Sequence, residues 1–154
     1  IGLTLALELP SAELWASDIC ERALSLAREN AQRLGASDRV RFACGHLLEP
    51  LPGRFDLVAA NLPYVAREAM DNLSAEVRRD PPVALDGGPG GLQLLDELVR
   101  AAPARLNPGG SVALEVGMGQ ADAVRALLDG NGWTAIEVES DYAGIERFVF
   151  ASHG

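Results

Sequence analysis

The chain has 154 residues, 48% of them apolar, and a formal net charge of −9 from 22 acidic against 13 basic residues. That length gives one compact domain by default, burying about two-thirds of the surface its unfolded form exposes, and the apolar content excludes a disordered chain. Every basic residue is Arg. An acidic surface repels phosphate backbones, which excludes a general nucleic-acid binder, and the adjacent pair Arg78-Arg79 is too small a patch to reverse this.

Cys20 and Cys44 have the spacing of neither a metal knuckle nor a redox pair, and read as small apolar residues in a reducing compartment. His46 and His153 form no ligand cluster with them, so no metal site is expected. No signal peptide is visible and no apolar run reaches membrane-spanning length. The expectation is a soluble, cytoplasmic protein with no membrane partner; the oligomeric state is left open.

Ile1 to Leu9 reads as a helix stopped by Pro10 and already under way at the first residue. This suggests that a segment upstream is missing. Glu13 to Ser17 reads as a strand, followed by Asp18 and a helix through about Leu34. In that helix Cys20, Ala23, Leu24, Ala27, Ala31 and Leu34 recur at three and four, Gly35 ends it, and Asp18 with Glu21 has capping-box spacing. Val40 to Cys44 alternates like a strand, and Gly45 to Gly53 is a loop stiffened by Pro50 and Pro52.

Phe55 to Ala60 reads as a buried strand that ends abruptly in Asn61-Leu62-Pro63-Tyr64. Val65 to about Ser74 is a weak helix or a loop. Asp80-Pro81-Pro82 breaks any helix, and Val83 to Leu85 is extended. Gly87-Gly88-Pro89-Gly90-Gly91 has no phosphate-loop spacing, and Pro89 removes a backbone donor, so it reads as a flexible flap or a plain connection. Leu92 to Leu106 carries a helical face kinked at Pro103, and Asn107-Pro108-Gly109-Gly110 is a strong turn. A strand over Ser111 to Val116, a helix over about Gln120 to Leu128, and strands over Trp133 to Glu139 and Glu146 to Ala151 complete the chain. Alternating strands and helices closed by two consecutive strands predict an α/β fold, mainly parallel with an antiparallel final pair.

In open α/β sheets ligands bind at the carboxyl edge of the strands. Three groups fall there. Asp18 can accept hydrogen bonds from ribose hydroxyls or cap the following helix, and the two roles are compatible. Gly45-His46-Leu47 can wall an adenine ring or be a solvated loop. At Asn61-Leu62-Pro63-Tyr64, Pro63 fixes its own φ and restricts Leu62 to extended conformations. The Asn61 carbonyl can therefore accept an N–H while the Tyr64 ring stacks on a planar group. This suits an amide or a nucleobase amine; a structural Asn-Pro turn with a core aromatic is the alternative.

Asp18 after its strand, Phe55-Asp56-Leu57-Val58 leading into Asn61-Leu62-Pro63-Tyr64, and Asn107-Pro108-Gly109-Gly110 before a strand together resemble a class I S-adenosylmethionine-dependent methyltransferase of the amino-methylating type. Three further stretches make the chain similar to the HemK/PrmC family, the protein-(glutamine-N5) methyltransferases of class I peptide chain release factors. They are Glu76 to Pro81 running into Ala84 to Gly88 and Gly90 to Leu92; Leu114-Glu115-Val116-Gly117; and Asp141 to Arg147.

The resemblance implies a Rossmann-like sheet and a cofactor, S-adenosylmethionine, held by Asp18, Ile19, His46, Leu47 and Asn61. Asn61, Leu62, Pro63 and Tyr64 would receive the substrate amide, with Asn61, Pro63 and Tyr64 carrying catalysis. The chain departs from the family in Leu62, where Pro is usual; in Asp80, where Glu is usual; and in His46, where Asp is frequent. The family's first strand and glycine-rich cofactor loop would precede Ile1, so residues 1–154 are expected to be a truncated catalytic domain. In it the neighbours of the absent strand either pair with each other or leave the sheet split. An adenine-N6 methyltransferase of nucleic acid, or an inactive fragment that no longer binds cofactor, are the competing readings.

Overall fold

The computed structural model describes all of residues 1–154. The chain forms two compact units, Ile1–Gly53 and Arg54–Gly154.

The first unit contains α1 (Gly2–Glu8), β1 (Leu14–Asp18), α2 (Glu21–Arg33) and β2 (Val40–Cys44). The two strands pair in parallel, Leu14 beside Val40 and Asp18 beside Cys44. Pro10 follows α1 directly after its cap residue, and the Arg39 guanidinium donates to the carbonyls of Ala6 and Leu9 at the helix end. Gly35, at φ +68°, closes α2. The amide of Ala36 there donates to the Ala31 carbonyl at 2.9 Å, the long bond of a Schellman ending. Ala6, Ala36 and Val40 form a small core with Leu3, Leu14 and Phe42 packed on it. Leu34 lies past the helix end and is 49% exposed, so the predicted apolar face of α2 stops before it.

The capping box does not form. Cys20 is the N-cap residue of α2, Asp18 instead accepts from the Cys20 amide at 2.7 Å, and Glu21 pairs with Arg28 at 2.6 Å. Asp18 is the last residue of its strand, two positions before the helix cap, so its carboxylate closes a local turn rather than the helix.

The second unit contains β3 (Phe55–Asn61), α3 (Gln93–Ala101), β4 (Leu106–Glu115), α4 (Ala121–Gly130), β5 (Thr134–Ser140) and β6 (Glu146–Ser152). Its four strands run in the order β3-β4-β6-β5, with β3 parallel to β4 and β6 antiparallel to both its neighbours. The alternation of β4 and β6 sends Val112, Leu114, Val149 and Ala151 to one face, where they are buried along with Leu95, Leu98 and Val99 of α3 and Val124 and Leu128 of α4. Trp133 is buried too and donates its indole N–H to the Val99 carbonyl at 3.2 Å. The opposite face is more open, and a shallow concavity of about 350 Å³ lies over Leu57, Ser111, Phe150 and Ser152.

Several predicted elements change form. Val83 to Leu85 is not extended: Pro82–Ala84 is a 3₁₀ turn, as expected where Pro81 and Pro82 fix two successive φ angles. Arg67–Asn72 settles as another 3₁₀ turn. Asn107 to Gly110 turns, but inside a strand: β3 advances from Phe55 to Leu57 while its partner on β4 advances from Leu106 to Ser111. The extra residues bulge out, Gly109 takes φ +76°, and Asn107 donates to Asp56 at 2.7 Å. Pro103 does more than kink the helical run: α3 ends at Ala101 and passes into a 3₁₀ turn over Ala102–Arg105.

The sheet is split, one of the two outcomes expected: the ladder β1-β2 and the ladder β3-β4-β6-β5 share no strand pairing. The connection from β2 to β3 runs only from Gly45 to Arg54 and carries no helix. A parallel crossover uses a dozen or more residues, so this loop is short for one.

Candidate functional site

In the first unit the predicted residues gather at the carboxyl end of the two parallel strands. Asp18 ends β1, and Ile19 follows it, 53% exposed. The loop after β2 is fastened to the last two residues of β1. The Gly45 amide donates to the Asp18 carbonyl at 3.1 Å, and the Ser17 hydroxyl donates to the Leu47 carbonyl at 2.6 Å. Leu47 holds φ +44°, a conformation that L side chains rarely adopt. Such strain, held in place by surrounding bonds, clusters at binding sites. Asp18, Ile19, His46 and Leu47 are thus brought to one edge. Cys44 also sits there; burial, then the negative charge of Glu21, pushes its thiol above the usual range, so the thiol is not an activated nucleophile.

In the second unit Asn61 ends β3 opposite Glu115 of β4. With Leu62, Pro63, Tyr64, Val65, Val77, Ala84 and Leu85 it lines a cavity of about 410 Å³. Asn61 is the amide side chain in that lining, and Val65, Val77, Ala84 and Leu85 supply aliphatic surface.

The backbone of this turn is held from behind by the glycine run. The Val65 amide donates to the Leu85 carbonyl at 2.9 Å, the Gly87 amide to the Val65 carbonyl at 2.9 Å, and the Arg67 amide to the Gly88 carbonyl at 3.0 Å. Val65 and Asp86 form a parallel bridge. A Cβ on Gly87 would lie 2.6 Å from the Pro63 carbonyl oxygen and 2.9 Å from the Tyr64 Cα, and one on Gly91 would overlap the Tyr64 carbonyl oxygen. Residues 87–91 are therefore neither a flap nor a bare connection: they are the cradle of the turn, glycine-rich because two backbones approach closely.

Asp86 anchors the cradle. Its carboxylate accepts from the Gly88 amide at 2.8 Å and from Arg67 Nε at 3.0 Å. Those bonds, the Gly88 amide first, hold it below the usual carboxylate range. On the far side Gln120 donates to the Tyr64 carbonyl at 3.0 Å and accepts from the Gly117 amide at 2.8 Å. The Asp141 to Arg147 stretch closes the β5–β6 turn. Asp141 accepts from the Ile145 and Ala143 amides; the Ile145 amide first, then the Ala143 amide and Arg147, hold its carboxyl low despite partial burial.

Sequence reasoning missed Asp86, Gly87, Gly91 and Gln120 as parts of the site. The available signal was the glycine spacing itself, together with a Gly-x-x-Gln run opening a helix. No cluster of His, Cys, Asp or Glu suited to a metal ion is present, and no helix is long and apolar enough to cross a membrane.

Comparison with known proteins adds what geometry alone leaves open. The family described as an RMKL-like methyltransferase domain matches residues 4–75. The release factor glutamine methyltransferase of Moorella thermoacetica is 43% identical over 153 residues, covering 98% of this chain and 54% of that protein. Its namesake in Bordetella pertussis is 43% identical over 149 residues, 96% of this chain and 54% of that protein. The chain is similar over nearly its whole length to these release factor glutamine methyltransferases. It spans about half the length of these curated relatives.

Among solved structures, TrmN from Thermus thermophilus superposes with a TM-score of 0.67 at 25% identity, covering 99% of this chain and 40% of that one. A methyltransferase from Pyrococcus furiosus superposes at 0.74 and 18% identity, covering 98% and 68%. The α/β architecture, parallel strands followed by an antiparallel pair, is that of class I methyltransferases.

Proposed function

We propose that the two units are parts of one catalytic domain that transfers a methyl group to the side-chain amide nitrogen of a glutamine in a class I peptide chain release factor. The observation that supports this is Asn61-Leu62-Pro63-Tyr64 lining a cavity, in a chain 43% identical over 98% of its length to a release factor glutamine methyltransferase.

The residues at the β1–β2 edge fit S-adenosylmethionine by their chemistry. Asp18 Oδ1 is engaged by the Cys20 amide, which orients the carboxylate so that its other oxygen can accept from ribose hydroxyls. Exposed Ile19 supplies an apolar contact, and His46 and Leu47 lie on a loop pinned to the strand ends by Ser17. When bound, that cofactor supplies a methyl group on a positively charged sulfur.

An amide nitrogen is a poor nucleophile because its lone pair is delocalised into the carbonyl. The chain's part is therefore to hold the nitrogen and favour the charge that develops on it. The Asn61 side-chain carbonyl accepts one amide N–H. The Tyr64 carbonyl is taken by Gln120 and the Pro63 carbonyl faces Gly87, which leaves the Leu62 carbonyl as the second acceptor. Pro63 and the Tyr64 ring pack on the planar amide, and Val77, Ala84 and Leu85 take the aliphatic stem. Acceleration comes mainly from this positioning. No general base is needed, since the nitrogen's proton leaves after transfer. The free thiols of Cys20 and Cys44 suit a reducing cytoplasm.

The test is methyl transfer from labelled S-adenosylmethionine to a class I release factor or to ribosomal RNA, with the full-length protein and its Asn61→Ala variant. The expected result is one methyl on a release-factor glutamine, nearly abolished by Asn61→Ala, with cofactor affinity kept within about threefold because Asn61 acts mainly in the transition state. Label in RNA would instead favour adenine methylation. No cofactor binding and no transfer would refute the reading.

A further inference from the structure

Gln120 is the N-cap residue of α4, its backbone carbonyl accepting from the Val124 amide at 3.0 Å, but its side chain does not serve that helix. It makes no side-chain cap bond there, and glutamine is not among the preferred N-cap residues. Its carboxamide turns away instead, accepting from the Gly117 amide at 2.8 Å and donating to the Tyr64 carbonyl at 3.0 Å. An N–H on one side and a C=O on the other fix which end is oxygen and which is nitrogen. Two glycines leave the slot it occupies. A Cβ on Gly117 would lie 2.7 Å from Gln120 Oε1, and one on Gly91 would lie 2.8 Å from Gln120 Nε2.

We propose that Gln120 is a positioning residue for methyl transfer, its carboxamide clamping the turn after β4 to the backbone of the Asn61–Tyr64 turn. This rests on the reading of that turn as the amide receptor. By satisfying the Tyr64 carbonyl, Gln120 also keeps that oxygen from competing for the substrate's N–H groups. The Tyr64 ring lies against Gly117, its Cδ2 3.0 Å from where a Cβ would stand, so both the ring and the carbonyl of Tyr64 are set by the same contact.

Replacement by glutamate separates positioning from simple packing. Neutral, a carboxyl at this position accepts from Gly117 and donates its O–H to Tyr64, reproducing both bonds. Ionised, it can only accept, and sets an oxygen against the Tyr64 carbonyl. Burial beside a carbonyl raises such a carboxyl above its ordinary value of about 4.3.

The segments packed around the slot carry Tyr64, Arg67, Glu68, Asp86, Glu115, Asp122 and Arg147. Arg67 is paired with Asp86, Glu68 accepts from Gly90, and Arg147 donates to the Val116 carbonyl. All are shared by wild type and variant, so the variant-to-wild-type ratio of kcat at each pH cancels their titrations.

The expected result for Gln120→Glu in the full-length protein is a ratio of about one-tenth near pH 8 that rises toward one as the pH falls to about 5, with the KM for S-adenosylmethionine unchanged within about twofold. Gln120→Met should stay low at every pH. A ratio that is near one throughout, or low without changing with pH, would overturn the proposal; the glutamate variant alone decides if the methionine variant fails to fold. Should wild type transfer no methyl, the reading of the turn fails by itself and hydrogen exchange decides the clamp. Faster exchange at the Gly117, Val65 and Arg67 amides in either variant supports it, and unchanged exchange overturns it.

Discussion

Replacing Gly91 by Ala should cost the protein far more than replacing Gly90, its immediate neighbour. Both adopt positive φ, +74° and +64°, so both substitutions carry the left-handed penalty of about 1–2 kcal/mol. Gly90 has open space where a Cβ would stand, whereas a Cβ on Gly91 would overlap the Tyr64 carbonyl oxygen and lie 3.0 Å from the Ala66 amide nitrogen. Those are backbone atoms that cannot rotate aside, so Gly91→Ala adds an overpacking cost of about 1–3 kcal/mol. The expected loss is about 2–5 kcal/mol for Gly91→Ala and about 1–2 kcal/mol for Gly90→Ala, read from urea unfolding of the chain. Relief of the overlap must displace the Asn61–Tyr64 turn by something near 1 Å, and a misplacement of that size costs about 100-fold in turnover. Methyl-transfer assays should therefore show kcat down about 100-fold for Gly91→Ala and within about threefold for Gly90→Ala. Equal kcat losses in the two variants would refute the idea that residues 87–91 hold the turn.

Three further expectations follow from the same contacts. Asp86 is held below its usual range in the folded chain, so its contribution is present above the unfolded value of about 3.9 and is lost as pH falls through the lower folded value; a fluorescence-detected acid unfolding curve should show Asp86→Asn flattening the acid limb below about pH 4. Asp18→Ala should raise the dissociation constant for S-adenosylmethionine about tenfold by calorimetry, the loss expected for a hydrogen bond to a charged group, with kcat at saturation little changed. Leu98→Ala empties a site only 2% exposed in the core under the four-stranded sheet, so urea unfolding should show a loss of about 2–5 kcal/mol.

The elements that local chemistry specifies were legible from residues alone. Pro10 and Gly35 end their helices, the apolar alternation of Val40 to Cys44 makes a strand, and Pro103 breaks α3. In each case the decisive interaction lies within a few residues along the chain. The Asn61–Tyr64 turn was legible for the same reason, because Pro63 restricts its own neighbourhood wherever the chain goes. Asp18 shows where such reasoning stops. Its spacing to Glu21 fits a capping box, but the strand runs on through Asp18, Cys20 takes the cap, and Arg28 takes Glu21.

The α/β order, the antiparallel ending and the residues that stand at the strand ends follow from periodicity and from backbone restrictions of single residues, so they can be read along the chain. Long-range packing sets the rest: the strands form two ladders, Asn107 to Gly110 bulges within β4, and Gly87, Gly91 and Gln120 meet the backbone at Tyr64. Gln120 is 56 positions from Tyr64. Contacts at such separation leave no local trace, because a glycine needed for close approach and a glycine needed for a turn look the same until the approaching backbone is in place.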